Sequence, residues 1–172
     1  MPLPPKRLRG LAPLSARVAL MLACAFLFTG CPKKPKVPGV PGLSAKARDL
    51  EVSVHVSPDA NGGNPVALDL LLVSDKDLLK ELQKMTASQW FERRNQIVLD
   101  HPKPGELVVV SREWSPGQVV APDRVKVAPE IRAAVVFANY FNPGEHRAVL
   151  DPRRDVLIKL GGEKIEVVAE RK

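Results

Sequence analysis

Beyond residue 31 the chain has no cysteine, because its two, Cys24 and Cys31, both lie near the N-terminus. No disulfide can brace whatever folds downstream, so that part must be held by an apolar core. Aromatic residues make up only 5% of the 172, which argues against an aromatic-lined ligand cleft. Acidic residues are missing from the first 48 positions, which carry nine Lys and Arg; residues 49–172 hold 17 basic and 19 acidic residues. The net charge of +7 is therefore a property of the N-terminal stretch. A nucleic-acid footprint needs Lys and Arg clustered on a folded face, and this distribution removes its main support. The apolar run at residues 18–28 is about 16 Å long as a helix, short of the roughly 30 Å of hydrocarbon that a span must cross. Nucleophile-elbow, zinc-protease, phosphate-loop and dinucleotide fingerprints are all missing, so no reaction class, cofactor or metal is indicated. The histidines, His55, His101 and His146, have no ligand spacing and no cysteine to join them, and read as structural or solvated.

Proline is what the chain has in quantity, 17 in all, and its position is informative. Residues 1–30 combine a basic stretch ending at Arg17, the apolar run VALMLACAFLF and the small pair Thr29-Gly30, the three parts of a cleaved export signal. Leu27-Phe28-Thr29-Gly30-Cys31 resembles the lipobox of bacterial lipoproteins, which implies a lipidated (palmitate-bearing) Cys31 as the first mature residue. Pro32 follows it where inner-membrane lipoproteins commonly have Asp, so the resemblance implies an outer-membrane anchor facing the periplasm. Pro32, Pro35, Pro38 and Pro41 recur every third residue, the repeat of a polyproline II helix. Residues 31–48 thus read as a semi-rigid Pro/Lys-rich tether reaching up to roughly 50 Å.

From Leu50 the period changes to two: Leu50, Val52, Val54 and Val56 alternate with polar residues, as a half-buried strand requires. Residues 57–65, SPDANGGNP, are turn formers, and 66–73, VALDLLLV, read as a second strand forming a hairpin or a sandwich corner with the first. Asp69 interrupts that strand; it reads as an outward or edge residue, with a catalytic or partner-binding acid as the alternative. Ser74 with Asp77, and Thr86 with Gln89, have the spacing of capping boxes. They open two short helices whose Leu78, Leu82, Met85, Trp90 and Phe91 stripe is expected to pack on a sheet, the second helix ending near Gln96. Strand signals resume at 107–114, at 118–127 with Pro122-Asp123 as a break, and at 131–140, the last with two apolar faces, of which the one with Ala134, Val136 and Ala138 is expected beneath the helices. A two-residue turn at Gly161-Gly162 would pair Leu160 with Glu163, Ile158 with Ile165 and Val156 with Val167. Seven or eight strands with one helical insertion imply a mainly β domain at 49–172, an antiparallel β-sandwich.

The order of these features, namely the lipobox, the tether, LEVSVHVSPDANGG, NPVALDLLLV, the helices ending in Trp90-Phe91, Ser115-Pro116-Gly117-Gln118 and AAVVFANY, resembles the TssJ (SciN/VasD) family of type VI secretion lipoproteins. The resemblance covers about residues 49–160. It implies a transthyretin-like sandwich on the outer membrane that binds the periplasmic domain of the inner-membrane protein TssM and has no enzymatic role. It also implies that the first inter-strand loop, Asp59, Ala60, Asn61, Gly62, Gly63 and Asn64, contacts TssM. These residues are polar or small, so the loop is expected to contribute little to stability. Two other classes fit the anchor: a pilotin-like lipoprotein escorting a secretin, and a periplasmic β-sandwich binding module.

A chain begun at Lys46 is expected to give a β-type circular dichroism spectrum and one melting curve with or without reductant. A melting shift on reduction, or a mainly helical spectrum, would contradict this reading.

Overall fold

Burial alternates along the first strand. The structure is a computed structural model, and it describes residues 46–170. The export signal, the tether and Cys31 lie outside the described residues. Eight strands and two α-helices follow in order: β1 Arg48–Val56, β2 Val66–Val73, α1 Lys76–Leu82, α2 Ala87–Asp100, β3 Leu107–Trp114, β4 Asp123–Val127, β5 Ala133–Asn139, β6 Arg147–Leu150, β7 Val156–Leu160 and β8 Ile165–Ala169. They form two four-stranded sheets, β4-β1-β7-β8 and β3-β2-β5-β6. β1 and β2 fall in different sheets, so the connection between them is a sandwich corner rather than a hairpin. All pairings are antiparallel except β1 with β7, which run parallel.

Two apolar cores follow from this layering. One lies between the sheets and takes Leu50, Val52, Val54 and Val56 from β1, Leu68, Leu70 and Leu72 from β2, and Ile158 and Leu160 from β7. The other lies between the second sheet and the helices, where Leu71, Val73, Val135 and Phe137 meet Leu78, Leu82, Met85 and Trp90. β2 and β5 are thus covered on both faces, which is why their sequences are almost wholly apolar instead of alternating. The face of β5 beneath the helices is the one with Val135 and Phe137, the reverse of the expectation; Ala134, Val136 and Ala138 face the other sheet. Trp90 stacks on Phe137 with ring centroids 5.5 Å apart and planes 11° from parallel, so the large ring needs a large partner on that face.

Asp69 is the polar exception in β2, and it is neither outward nor on an edge. β2 is paired on both sides, by β3 and β5, and Asp69 is 1% exposed. Its position in the alternation puts it on the helix-covered face beside Leu71. There Oδ2 accepts from Trp90 Nε1 at 2.8 Å and from Arg94 Nη1 at 3.2 Å. The two donors lie on one face of α2 at i and i+4, so the helix both covers and satisfies the buried carboxylate.

The helix starts are set by side chains. Thr86 and Gln89 form the expected capping box. The first helix is capped one residue later than the sequence spacing suggests: Asp75 accepts from the amides of Asp77 and Leu78, while Ser74 donates to Gly105 O at 2.9 Å. Asp75 is a charged acceptor at the positive end of the helix and outcompetes the neutral hydroxyl. α2 continues past Gln96 to Asp100, carried by Ile97, which is buried. The β7–β8 turn also sits one residue further on: Leu160 pairs with Ile165, Ile158 with Val167 and Val156 with Ala169. Neither Gly161 nor Gly162 takes the positive φ that a two-residue turn centred on them would need. Moving the partner by two residues keeps Ile165 and Val167 on the core side, so the expected face survives the change of register.

Trp90→Phe keeps the ring stack but removes the Nε1 donor. It is expected to destabilise the fold by about 1–3 kcal/mol, because a buried carboxylate loses a partner. Urea unfolding should show a lower midpoint at unchanged slope. Wild-type stability would mean that Arg94 alone suffices for Asp69.

Candidate functional site

The strand directions place four connections at one end of the sandwich. Val56 at the end of β1 lies beside Leu160 at the end of β7, Val66 at the start of β2 lies beside Trp114 at the end of β3, and Ala67 pairs with Asn139 at the end of β5. The β1–β2, β3–β4, β5–β6 and β7–β8 connections therefore share that end. The chain enters the sandwich at Arg48, at the opposite end of β1. Nine strand residues at about 3.3 Å each separate the two ends by roughly 30 Å.

The β1–β2 loop is built into this end. Residues Ala60–Gly63 form a 3-10 turn in which Asn61 and Gly62 have left-handed backbone, at φ 51° and 63°. Asn is among the few side chains that accept this conformation readily. Ala60 and Asn61 are buried, contrary to the expectation of a loop that contributes little to stability; Asp59, Gly62, Gly63 and Asn64 are exposed. Ala60 belongs to the inter-sheet core. Asn61 uses each polar group: its amide nitrogen donates to Pro65 O at 3.0 Å, its Oδ1 accepts from the Phe141 backbone at 2.8 Å, and its own backbone N–H donates to Gly161 O at 3.3 Å. One side chain with its backbone thus joins three connections. Asp59 accepts a hydrogen bond from Ser57 Oγ.

The neighbouring loops lean on one another as well. Gly117 N donates to Ser57 O at 3.1 Å, and Asn142 Nδ2 donates to Glu163 O at 2.9 Å. Tyr140 is buried, with its hydroxyl 3.1 Å from the carbonyl oxygens of both Gly161 and Lys164. His146 stacks on it at 4.6 Å between ring centroids, with Nε2 2.8 Å from Asn142 O. Among the described residues, the two non-glycine positions with positive φ, Asn61 and His146 at 41°, are both at this end. Burial pushes the Tyr140 hydroxyl up to about 12, and the nearby Asp59 charge acts in the same direction.

This arrangement is suited to recognition. Among the described residues no three His, Cys, Asp or Glu side chains come together as a metal site. A groove of about 520 Å³ beside the loop is lined by Asp59, Lys159, Glu163 and Lys164, with open sides. His55 is exposed on β1, and His101 sits 3.1 Å from Glu106. The site residues named from the sequence, residues 59–64, are brought together with Tyr140, Phe141 and His146, which sequence reasoning missed. The Phe141-Asn142-Pro143-Gly144 run carried a signal, since it places a large aromatic at the start of a turn.

No protein-family model and no curated protein matches the sequence. Solved structures do match the fold. TssJ1, a type VI secretion lipoprotein of Pseudomonas aeruginosa, aligns at TM-score 0.55 and 18% identity over 74% of this chain and 99% of that one. Lip of Serratia marcescens, described as a membrane bound component of the type VI secretion system, aligns at 0.57 and 15% over 74% and 100%. A chain in a structure described as the type VI protein TssM C-terminal domain (869–1107) from EAEC aligns at 0.50 and 14% over 72% of this chain and 98% of that one. The domain thus has the β-sandwich fold of type VI secretion lipoproteins. Within that class its likeness is to TssJ, the family its sequence motifs resemble.

The chain's single tyrosine allows a direct test of the loop end. Spectrophotometric titration of the folded protein should show ionisation near pH 12 rather than near the ordinary value of 10. With the folded value raised, Tyr140's contribution to stability is complete below pH 10 and is lost as pH rises toward 12. A midpoint near 10 would show the hydroxyl to be solvated.

Proposed function

We propose that this chain is a lipid-anchored outer-membrane component of a type VI secretion membrane complex, and that its loop end binds the periplasmic domain of a TssM-like inner-membrane protein. Residues 1–30 serve as the export signal, Cys31 as the lipid anchor, residues 31–48 as the tether and residues 49–172 as the recognition domain. The observation that carries the reading is polarity. The chain enters β1 at one end of the sandwich, while the β1–β2 loop and the three connections around it lie at the other. A domain tethered through Arg48 can present that far end to a partner across the periplasm. Support for the type VI assignment comes from the shared fold of TssJ1 and Lip. Support for the partner comes from the match to a chain in a structure of the TssM C-terminal domain.

Dual acylation at one cysteine makes anchoring effectively stable, since each buried CH₂ contributes about 0.8 kcal/mol. Cys31→Ala is therefore expected to move the protein from the membrane to the soluble fraction without altering its melting temperature. Retention in the membrane fraction would overturn the anchor. In pull-downs against the TssM-like periplasmic domain, Asp59→Arg should weaken capture of the folded protein, and unchanged capture would move the interface away from the β1–β2 loop.

A further inference from the structure

We infer that Phe141 is the apolar anchor of the loop end and that Asn61 is the residue that positions it, so that the partner must offer an apolar pocket with a basic rim. The inference deepens the function proposed above and rests on the loop end being the partner-binding end.

Phe141 is 78% exposed, and among the described residues it is the one aromatic in the set of exposed large apolar side chains. Its backbone, by contrast, is held from both sides. Tyr140 before it is buried with its hydroxyl against the β7–β8 turn, and Asn142 after it is tied to Glu163 O. Its own N–H donates to Oδ1 of buried Asn61. An exposed aromatic on a fixed backbone loses little further freedom when it enters a pocket, which is the property of an interface hot spot. Val119, 96% exposed and bridged to His55 near the end of β1, offers a second apolar contact at this end.

The occupant follows from charge. The four connections at this end carry Asp59, Glu145 and Glu163 against Lys164, and the strand ends that border them add Glu113 and Glu166 against Lys159 and Arg147, the last paired with Glu145, so acidic groups remain in excess. An acidic rim around an aromatic anchor is complementary to a basic-rimmed cleft on a folded domain, and it disfavours an anionic lipid surface. A second copy of this chain would set like rims against each other.

The test is calorimetric titration of the detergent-solubilised lipoprotein with the TssM-like periplasmic domain. Phe141→Ala should weaken binding by roughly tenfold or more at unchanged melting temperature, and Phe141→Leu should recover part of the loss. Asn61→Ala should lower the melting temperature, weaken binding and speed hydrogen exchange at the Phe141 amide. Binding should also weaken as salt is raised. If Phe141→Ala binds like the wild type while Asp59→Arg does not, the anchor is refuted and the proposed function stands. If the wild type itself does not bind, the proposed function fails and the anchor with it. Loss of vesicle binding by Phe141→Ala on anionic liposomes, or loss of self-association in sedimentation, with the protein–protein titration unaffected, would likewise overturn the inference.

Discussion

Everything in this domain depends on β2 and β5 being buried on both faces. With no disulfide available after Cys31, stability has to come from apolar area. A two-layer sandwich buries only one face of each sheet. Here the helices add a third layer over the β3-β2-β5-β6 sheet, so that Leu71, Val73, Val135 and Phe137 are as fully enclosed as the residues between the sheets. Each such side chain contributes about 1.5–3 kcal/mol relative to exposure, and the second core is what a disulfide-free domain gains from its helical insertion. Asp69 fits the same scheme. A carboxylate on the doubly covered strand is tolerated because the covering helix brings an indole N–H and a guanidinium to it.

The same framework makes the far end rigid. β1 and β7 run parallel, and β2 is paired on both sides, so their ends are fixed by the sheets before any loop contributes. The loops then tie one another together through Asn61, Tyr140, Asn142 and Gly117. Left-handed backbone at Asn61 and His146 persists because the surrounding bonds over-determine it, and such positions recur where a surface is shaped for recognition. A connection that looks like a polar spacer is, in three dimensions, the keystone of a four-loop surface. That surface lies at the end of the sandwich opposite Arg48, where β1 begins.

Much of the fold was legible in the residues. The spans of β2 and β3 could be read from their apolar runs, and β1 from strict alternation with its start within two residues. The helical stripe and the Thr86–Gln89 box were visible because they depend on spacings of three and four residues, which a chain carries locally. The misreadings concern competition between neighbours or between strands. Asp75 and Ser74 compete for one helix end, and only the folded chain shows that Ser74 is drawn to Gly105. Gly161-Gly162 permits a tight turn, yet the register is set by how β8 fits the core beside β7.

By itself the sequence determined the class of the domain, mainly β and without disulfides, and it set the expectation of an export signal, a lipobox-like Cys31 and a proline-rich tether before it. Those properties are local, since they depend on short motifs, composition and the period of apolar residues. Tertiary structure alone decided which sheet each strand joins, that Asp69 lies inward on Trp90 and Arg94, and that Asn61 reaches Phe141, eighty residues away in the chain. The physical reason is that pairing partners and buried polar contacts are fixed by the combined packing of both cores, and no stretch of sequence carries that information on its own.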